Sequence, residues 1–360
     1  MYCVLRFCGP SILVGYVLVA YGPCCLLRAL RGAYGCWVPC RRGRVVLDKS
    51  RYYLISGGFW AALMLSPSSV GRLLRRLHAL RSRDPVPEEL RGWSWWSPPL
   101  RPRAHLGLGV SEAAIRWCPS RRDLYLRRVR GLEPPPSNGM LRGRVVHEAF
   151  RRSAVDVARL HVLGREPPGI VAELVADAEE AARGIAEEAG APGLEDLAAR
   201  AYTRFVFLWS GWVEETGQPP WYTEYAIDGS LLGLSPRLRV NALGVGIVVE
   251  VKLGGWRDDY PAALAGYALA LEASHEIPVD YGLVLLVSGD ASRVEAHPVY
   301  LGADERIAFI EARDEAIEMF LSGQDPGTPS ECSRGCPFAR LCSPTAPARG
   351  GSEAAGEAVA

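Results

Sequence analysis

The stretch GIVVEVKLG, residues 246–254, constrains the fold of this chain more than any other. Four of its residues are β-branched and apolar, which predicts a fully buried strand. Glu250 and Lys252 interrupt that apolar run two positions apart, so both side chains point to the same face of the strand. Two interpretations fit this pattern: an ordinary strand end with a surface ion pair, and a functional site.

The residue type at position 252 favours the functional interpretation. The chain has 41 basic residues, and only Lys49 and Lys252 are Lys. Arg is permanently charged, whereas Lys is a compact charge whose pKa is lowered by burial. A group that steers or deprotonates a water molecule needs the second kind of chemistry. We therefore predict that Lys252 is catalytic.

Overall charge leaves the class of partner open, but the local distribution of Arg says more. The net charge of the 360 residues is +1, which neither requires nor excludes a nucleic acid. Between residues 116 and 152 there are ten Arg against three acidic residues. This cluster is either a solvated helix face or a phosphate-binding surface. As a DNA-binding surface it would use Arg116, Arg121, Arg122, Arg127 and Arg128.

The ten Cys are unevenly placed, with six in the first 40 residues and three near the end. A disulfide scaffold would be small and evenly cross-linked, so the late group predicts a cofactor site in a reducing cytoplasm. Cys332, Cys336 and Cys342 would take Cys118 as the fourth ligand. Four thiolates suit a tetrahedral Zn²⁺ or an iron–sulfur cluster, and unrelated thiols are the alternative. Such a site would staple the region around Cys118 to the C-terminus.

Element order indicates an α/β fold. Helical patterns occupy 64–84, 111–130 with a break at Pro119, 139–163, 169–189 and 193–215. Strands follow at 221–227, 231–243 with a kink at Pro236, and 246–251, then a helix at 258–273, strands at 281–287 and 293–300, and a helix at 303–321. This order is that of the restriction-endonuclease-like core, a four-stranded mixed central sheet flanked by helices. Trp93, Trp95 and Trp96, in the Pro-rich segment 85–102, either pack an irregular arm onto the body or stack bases.

The chemistry expected of this core is phosphodiester cleavage with Mg²⁺ or Mn²⁺. Such ions prefer carboxylate and carbonyl oxygens, which Glu250 and the backbone of Val251 supply, while Lys252 orients the attacking water. The preceding strand has Asn241 where an Asp is expected, which brings an amide oxygen but no charge. Asp228 compensates only if the fold brings it close. His147 is either a further metal ligand or a packed helix residue.

Taken together, these motifs resemble the RecB-like CRISPR-associated exonucleases of spacer acquisition, in the archaeal type I branch of the PD-(D/E)xK superfamily. The resemblance covers about 64–344 and rests on CPSRRDLYLRRV, GRVVHEAF, IDGSLLGLSPRLRVNAL, VVEVKLGG, LAGYALALE and the terminal Cys run. It implies a 4Fe–4S cluster on the four cysteines, a metal site at His147, position 241 and Glu250, and a role for Tyr267 at the active site or DNA. The family motif containing Tyr267 begins with Gln, where this chain has Ala263.

This resemblance divides the chain into five parts. Residues 1–63 lack regular periodicity and are interpreted as a mis-assigned extension, because a helical pattern opens at Met64. Residues 64–136 form an N-terminal arm with the first cluster ligand, 137–325 a RecB-like nuclease core, and 326–345 the Cys segment. Residues 346–360 form a polar, disordered tail.

Two functions follow as hypotheses. The first is a metal-dependent DNA exonuclease that trims single-stranded ends before the CRISPR integrase inserts the fragment. The second is a catalytically weakened DNA-end-binding subunit of the acquisition complex, because Asn241 replaces an acid. Both predict single-stranded or overhang DNA, the integrase and other acquisition proteins as partners, and no membrane.

Overall fold

The computed structural model describes residues 67–330, 332 and 336–342. The interpretation of 1–63 as an extension and that of 346–360 as a tail therefore lie outside the described residues. The described helices are α1 (Pro67–Arg83), α2 (Val110–Ala114), α3 (Arg122–Arg128), α4 (Asn138–Val162), α5 (Pro167–Ala176), α6 (Ala178–Glu188), α7 (Glu195–Thr216), α8 (Tyr260–His275), α9 (Ala303–Ser322) and α10 (Ala339–Cys342).

Helix ends follow the local sequence. Ser137 caps α4, and its side-chain oxygen accepts a hydrogen bond from the Met140 amide at 3.3 Å. The segment containing Pro119 separates α2 from α3, which confirms the predicted break. The predicted helix 169–189 is two helices, because the chain leaves helical geometry at Asp177. Gly217 ends α7 in the left-handed conformation that glycine adopts without steric cost.

Five strands form one mixed sheet in chain order: β1 (Tyr222–Ile227), β2 (Leu238–Gly244), β3 (Ile247–Leu253), β4 (Tyr281–Val287) and β5 (Val294–Tyr300). Strands β3 and β4 are parallel, and the other neighbours are antiparallel. Helix α8 makes the crossover between the parallel pair, as a parallel connection requires. All five predicted strands form, so the sheet has one strand more than the four-stranded core that the element order indicated. Strand β2 is shorter than predicted, because 230–232 form a 3₁₀ turn.

Helices cover both faces of the sheet, so β3 is buried on each side. One face packs against α4 to α7 and includes Val249 and Val251. The other packs against the N-terminal arm, α8 and α9 and includes Val248. In the arm, Trp95 packs against this second core, whereas Trp96 is exposed. The α/β class with a mixed sheet between helices is thus confirmed.

The β1–β2 pair is irregular at Glu224 and Asn241. Val240 packs into the core beneath α8, but Ala242 packs into the core beneath α4, although residues two apart in a regular strand share a face. Glu224 has φ of 51°, and it stands opposite Asn241 between the paired positions Thr223 and Tyr225. Left-handed backbone at a non-glycine strand residue is strained, and such distortions concentrate at functional sites.

Candidate active site

Strand β3 carries Glu250 and Lys252 toward the face covered by α8. Glu250 is buried, with 2% of its surface exposed, and its Oε2 forms an ion pair with the Lys252 ammonium. Within the described part of the chain, that buried Oε2 receives no well-aligned hydrogen bond. A buried carboxylate oxygen with unused lone pairs is costly unless a cation or donor satisfies it. The pair is therefore not an ordinary surface ion pair.

Asn241 is held against the same strand. It is buried, and its Oδ1 accepts a hydrogen bond from the Val251 amide at 2.8 Å. This side chain takes the place of a backbone acceptor, because the β2–β3 ladder stops at the pair Ala242 and Val249. An amide oxygen has two lone pairs, so one is still available to a metal ion. Asn241 thus holds the part of β3 that contains the two predicted metal ligands, the Glu250 carboxylate and the Val251 carbonyl.

His147 projects from α4 toward the Glu250–Lys252 pair. Burial and the Lys252 ammonium lower the pKa of His147 to about 4, although the Glu250 carboxylate acts in the opposite direction. The imidazole is therefore neutral at physiological pH, which is the form that binds a metal ion. His147 also lines a cavity of about 970 Å³ with Glu224 and Arg239.

Two tyrosines of α8 complete the surroundings of Glu250. The hydroxyl of Tyr267 lies beside the Glu250 carboxylate and Ser111, and burial together with that carboxylate raises the Tyr267 pKa well above its ordinary value. The Lys252 ammonium lies 5.6 Å from the centre of the Tyr260 ring. Tyr267 therefore stays protonated and can donate to Glu250, while Tyr260 supports the ammonium by a cation–π contact.

Glu224 is an acidic residue that sequence reasoning missed. It stands across from Asn241 on β1, and its charge contributes to the raised pKa of Tyr267. Asp228, proposed from sequence as a compensating acid, lies past the end of β1 instead. Its Oδ1 accepts a hydrogen bond from the Ser230 amide at 2.9 Å. The sequence places Glu224 in the strand before the one that contains Asn241. Only the register of the two strands shows that Glu224, and not Asp228, is opposite Asn241.

The predicted donors fit a divalent cation, although with little charge. Within the described residues, no three side chains of His, Cys, Asp or Glu stand close enough to hold a metal ion. The predicted set contains only two of those types, His147 and Glu250, and takes its other oxygens from Asn241 and Val251. Carboxylate, amide and carbonyl oxygens suit Mg²⁺ or Mn²⁺, and the buried Glu250 Oε2 has the Lys252 ammonium beside it but receives no well-aligned hydrogen bond.

A basic cavity of about 500 Å³, here called the arginine cavity, adjoins this site through Tyr267 and Ser111. Sequence reasoning predicted several of its arginines but missed Arg237 and Arg239, two residues apart at the start of β2. Arg239 lines both cavities. The arginines of the cavity are Arg116, Arg121, Arg127, Arg128, Arg237 and Arg239.

Most of the predicted DNA-binding arginines already interact with other groups of the same chain. Arg122 binds the Asp325 carboxylate at 2.8 Å and does not line the cavity. Arg128 binds Glu112, and Arg116 forms an ion pair with Glu315. These pairs fix the guanidinium positions and leave further N–H donors on each group. Buried Arg121 donates to the Ala312 carbonyl at 3.2 Å, and the Arg127 guanidinium lies 5.9 Å from the Phe338 ring centre.

The four predicted cluster ligands belong to two segments that meet beside α3. Cys118 and Cys342 are buried, and all four thiols are unpaired by disulfides. Burial raises the pKa of both Cys336 and Cys342, and the charges of Cys118 and Cys332 act in the same direction. The fully buried Phe338 packs with Tyr125 and Leu126 of α3 beneath them. Cys118 and Cys332 thus lie near both Cys336 and Cys342, but among the described residues no three of these thiols form a group that could hold a single metal ion.

Comparison with known proteins shows the class of this protein, which is a nuclease-type protein of CRISPR systems. The model of the family described as CRISPR-associated exonuclease Csa1 matches residues 64–345, and the chain belongs to this family. A CRISPR-associated exonuclease Csa1 from Thermoproteus tenax is 35% identical over 285 residues, covering 78% of this chain and 99% of the relative. One from Saccharolobus solfataricus is 30% identical over 279 residues, covering 72% and 93%. Among the residues that the structure describes, no helix is both long and apolar enough to cross a membrane.

Proposed function

We propose that this protein is a metal-dependent DNA exonuclease that trims single-stranded ends of fragments destined for CRISPR spacer acquisition. The observation that carries the proposal is the buried Glu250 oxygen that lacks a hydrogen bond and lies beside Lys252. Family membership supports an exonuclease, and the six arginines of the adjoining cavity match the charge of a phosphate backbone.

His147, Asn241, Glu250 and the Val251 carbonyl would hold Mn²⁺ or Mg²⁺. A bound divalent ion would supply charge stabilisation at the phosphate and a water molecule with a lowered pKa. The residues of the chain would do the rest. Lys252 donates hydrogen bonds toward the water, and Tyr260 keeps its ammonium in place. Tyr267 orients the Glu250 carboxylate, and neutral His147 offers a ring nitrogen without losing a proton first.

Cys118, Cys332, Cys336 and Cys342 would hold a 4Fe–4S cluster, with Zn²⁺ as the alternative. Its function is structural. It ties the C-terminal segment to the loop before α3, whose Arg121 and Arg127 line the arginine cavity. Visible absorbance of anaerobically purified protein distinguishes the two metals, because only the iron–sulfur cluster is coloured.

The rival proposal, a weakened DNA-end-binding subunit that acts with the integrase and other acquisition proteins, is motivated by Asn241. Asn241→Asp decides between them. An Asp would keep an acceptor for the Val251 amide and add one negative charge to the metal site. If Asn241 suffices, the variant degrades labelled single-stranded DNA with Mn²⁺ at about the parent rate. A variant far more active than the parent supports the weakened subunit, and Glu250→Gln serves as the inactive control.

A further inference from the structure

Two tryptophans are exposed at the border of the active site. Trp256 lies three residues after the end of β3 and has 42% of its surface exposed, and Trp117 precedes Cys118 and has 53% exposed. Leaving two indoles in solvent forfeits large apolar burial, so exposed aromatic clusters mark binding surfaces. Neither residue was singled out by the sequence.

Trp256 is connected to the catalytic lysine through one aromatic ring. Its indole packs edge-on against Tyr260, with ring centres 6.0 Å apart and an interplanar angle of 81°. The Lys252 ammonium also lies near the Tyr260 ring, 5.6 Å from the ring centre. His297 on β5 packs on the indole as well, with ring centres 5.3 Å apart. The Tyr260 ring therefore lies between Trp256 and the Lys252 ammonium.

Trp117 is held near the same loop by Arg257. The Arg257 guanidinium lies 4.7 Å from the Trp117 ring centre, and its Nη2 donates to the Arg116 carbonyl at 2.9 Å. Asp259 adds to these contacts, because it accepts a hydrogen bond from the Arg116 amide at 3.1 Å and forms an ion pair with Arg257. The contacts of Arg257 and Asp259 with Arg116 and Trp117 are here called the Arg257 clip. Trp117 also lines the arginine cavity. The Arg257 clip therefore joins the loop before Cys118 to the loop after β3.

We propose that Trp117 and Trp256 form a stacking platform for unpaired bases of the substrate strand. This inference rests on the proposed function and specifies its substrate. Arginines of the cavity would hold the phosphates while the indoles receive base faces, the combination used by single-strand-binding proteins. Bases within a duplex are already stacked on their neighbours and present no free face. The platform therefore selects single-stranded ends over blunt duplex.

Binding is measured on the full chain in EDTA, so that no cleavage occurs, by fluorescence anisotropy of a labelled short oligothymidylate. Trp117→Ala and Trp256→Ala should each weaken binding about tenfold. Trp256→Phe should retain most of the affinity, because it keeps an aromatic face. Trp96→Ala is the matched control: this tryptophan is 65% exposed but lines neither cavity, so binding should not change.

A strand with abasic sites tests the platform without altering the protein. It keeps the phosphates and removes the bases, so the parent should bind it about tenfold more weakly, whereas the double Trp variant should show little further loss. Equal parent affinity for both strands, or loss of affinity only in Trp96→Ala, overturns the platform. If the parent binds no DNA of either kind, the proposed function itself fails.

Discussion

Glu272, near the end of α8, provides the most direct test of how the fold holds the active site. This carboxylate is fully buried and accepts five hydrogen bonds. Oε1 accepts from Arg91, Arg306 and the Val279 amide, each at 2.9 Å. Oε2 accepts from Arg306 at 2.7 Å and the Gly92 amide at 2.8 Å. The same helix carries Tyr260 and Tyr267, so this anchor connects the N-terminal arm to the site.

Glu272→Gln keeps the shape of the side chain and removes its charge. The two guanidiniums would then depend on Asp280, which contacts Arg91 at 2.5 Å but lies 3.9 Å from Arg306. The new NH₂ group would also face N–H donors instead of acceptors. Breaking a buried ion pair on one side costs about 3–5 kcal/mol. This is a large part of the roughly 5–15 kcal/mol that stabilises a typical domain.

Urea unfolding of the full chain, followed by tryptophan fluorescence, measures the loss as a lower midpoint with an unchanged slope. Glu318→Gln is the matched control, because Glu318 pairs with Arg103 at the surface and both side chains are more than half exposed. The control should change the free energy of unfolding by less than about 1 kcal/mol. A loss for Glu272→Gln no larger than that of the control would show that the charge of Glu272 does not stabilise the fold.

Three further predictions concern the predicted metal and cluster sites. Burial and the Lys252 ammonium lower the pKa of His147 to about 4, although Glu250 acts in the opposite direction. The unfolded state therefore takes up a proton at higher pH than the folded state. As a result, the free energy of unfolding in EDTA should fall as the pH is lowered from about 6.5 to about 4. His147→Asn should reduce that fall in urea unfolding, and an unchanged fall would contradict the assignment. Cys118→Ser should remove the visible absorbance of anaerobically purified protein, whereas substituting cysteines before residue 41 should leave it intact; the opposite pattern would exclude Cys118. Glu224→Gln should weaken Mn²⁺ binding in isothermal titration several-fold, because it removes the acid facing Asn241, and an unchanged affinity would show that Glu224 takes no part.

Sequence periodicity predicted β3 and its two charged residues because that strand is buried on both faces, where apolar side chains are required at nearly every position. It also predicted the break at Pro119 and the helix that carries His147, since these depend on local sequence. The over-long β2 came from a Leu-rich run that forms a 3₁₀ turn instead. Short apolar runs do not distinguish these states.

The surroundings of the site were less accessible to sequence reasoning. The role of Asn241 as an acceptor for Val251 and the position of Glu224 opposite it depend on strand register. The Arg257 clip on Trp117 joins residues 140 positions apart in the chain, and no local pattern indicates such a contact. Likewise, the ion pair of Arg122 with Asp325 could not be separated from a DNA-binding role by charge counting.

In the proposed function, Glu250 and Lys252 carry out metal-dependent cleavage of single-stranded DNA. The most direct test is degradation of end-labelled single-stranded DNA by the full chain with Mn²⁺, with Mg²⁺ and with EDTA, alongside Lys252→Ala and the surface control Glu318→Gln. We expect cutting only with metal, a loss of about a hundredfold or more in Lys252→Ala, and parental rates in Glu318→Gln. Cutting in EDTA, or parental rates in Lys252→Ala, would contradict it.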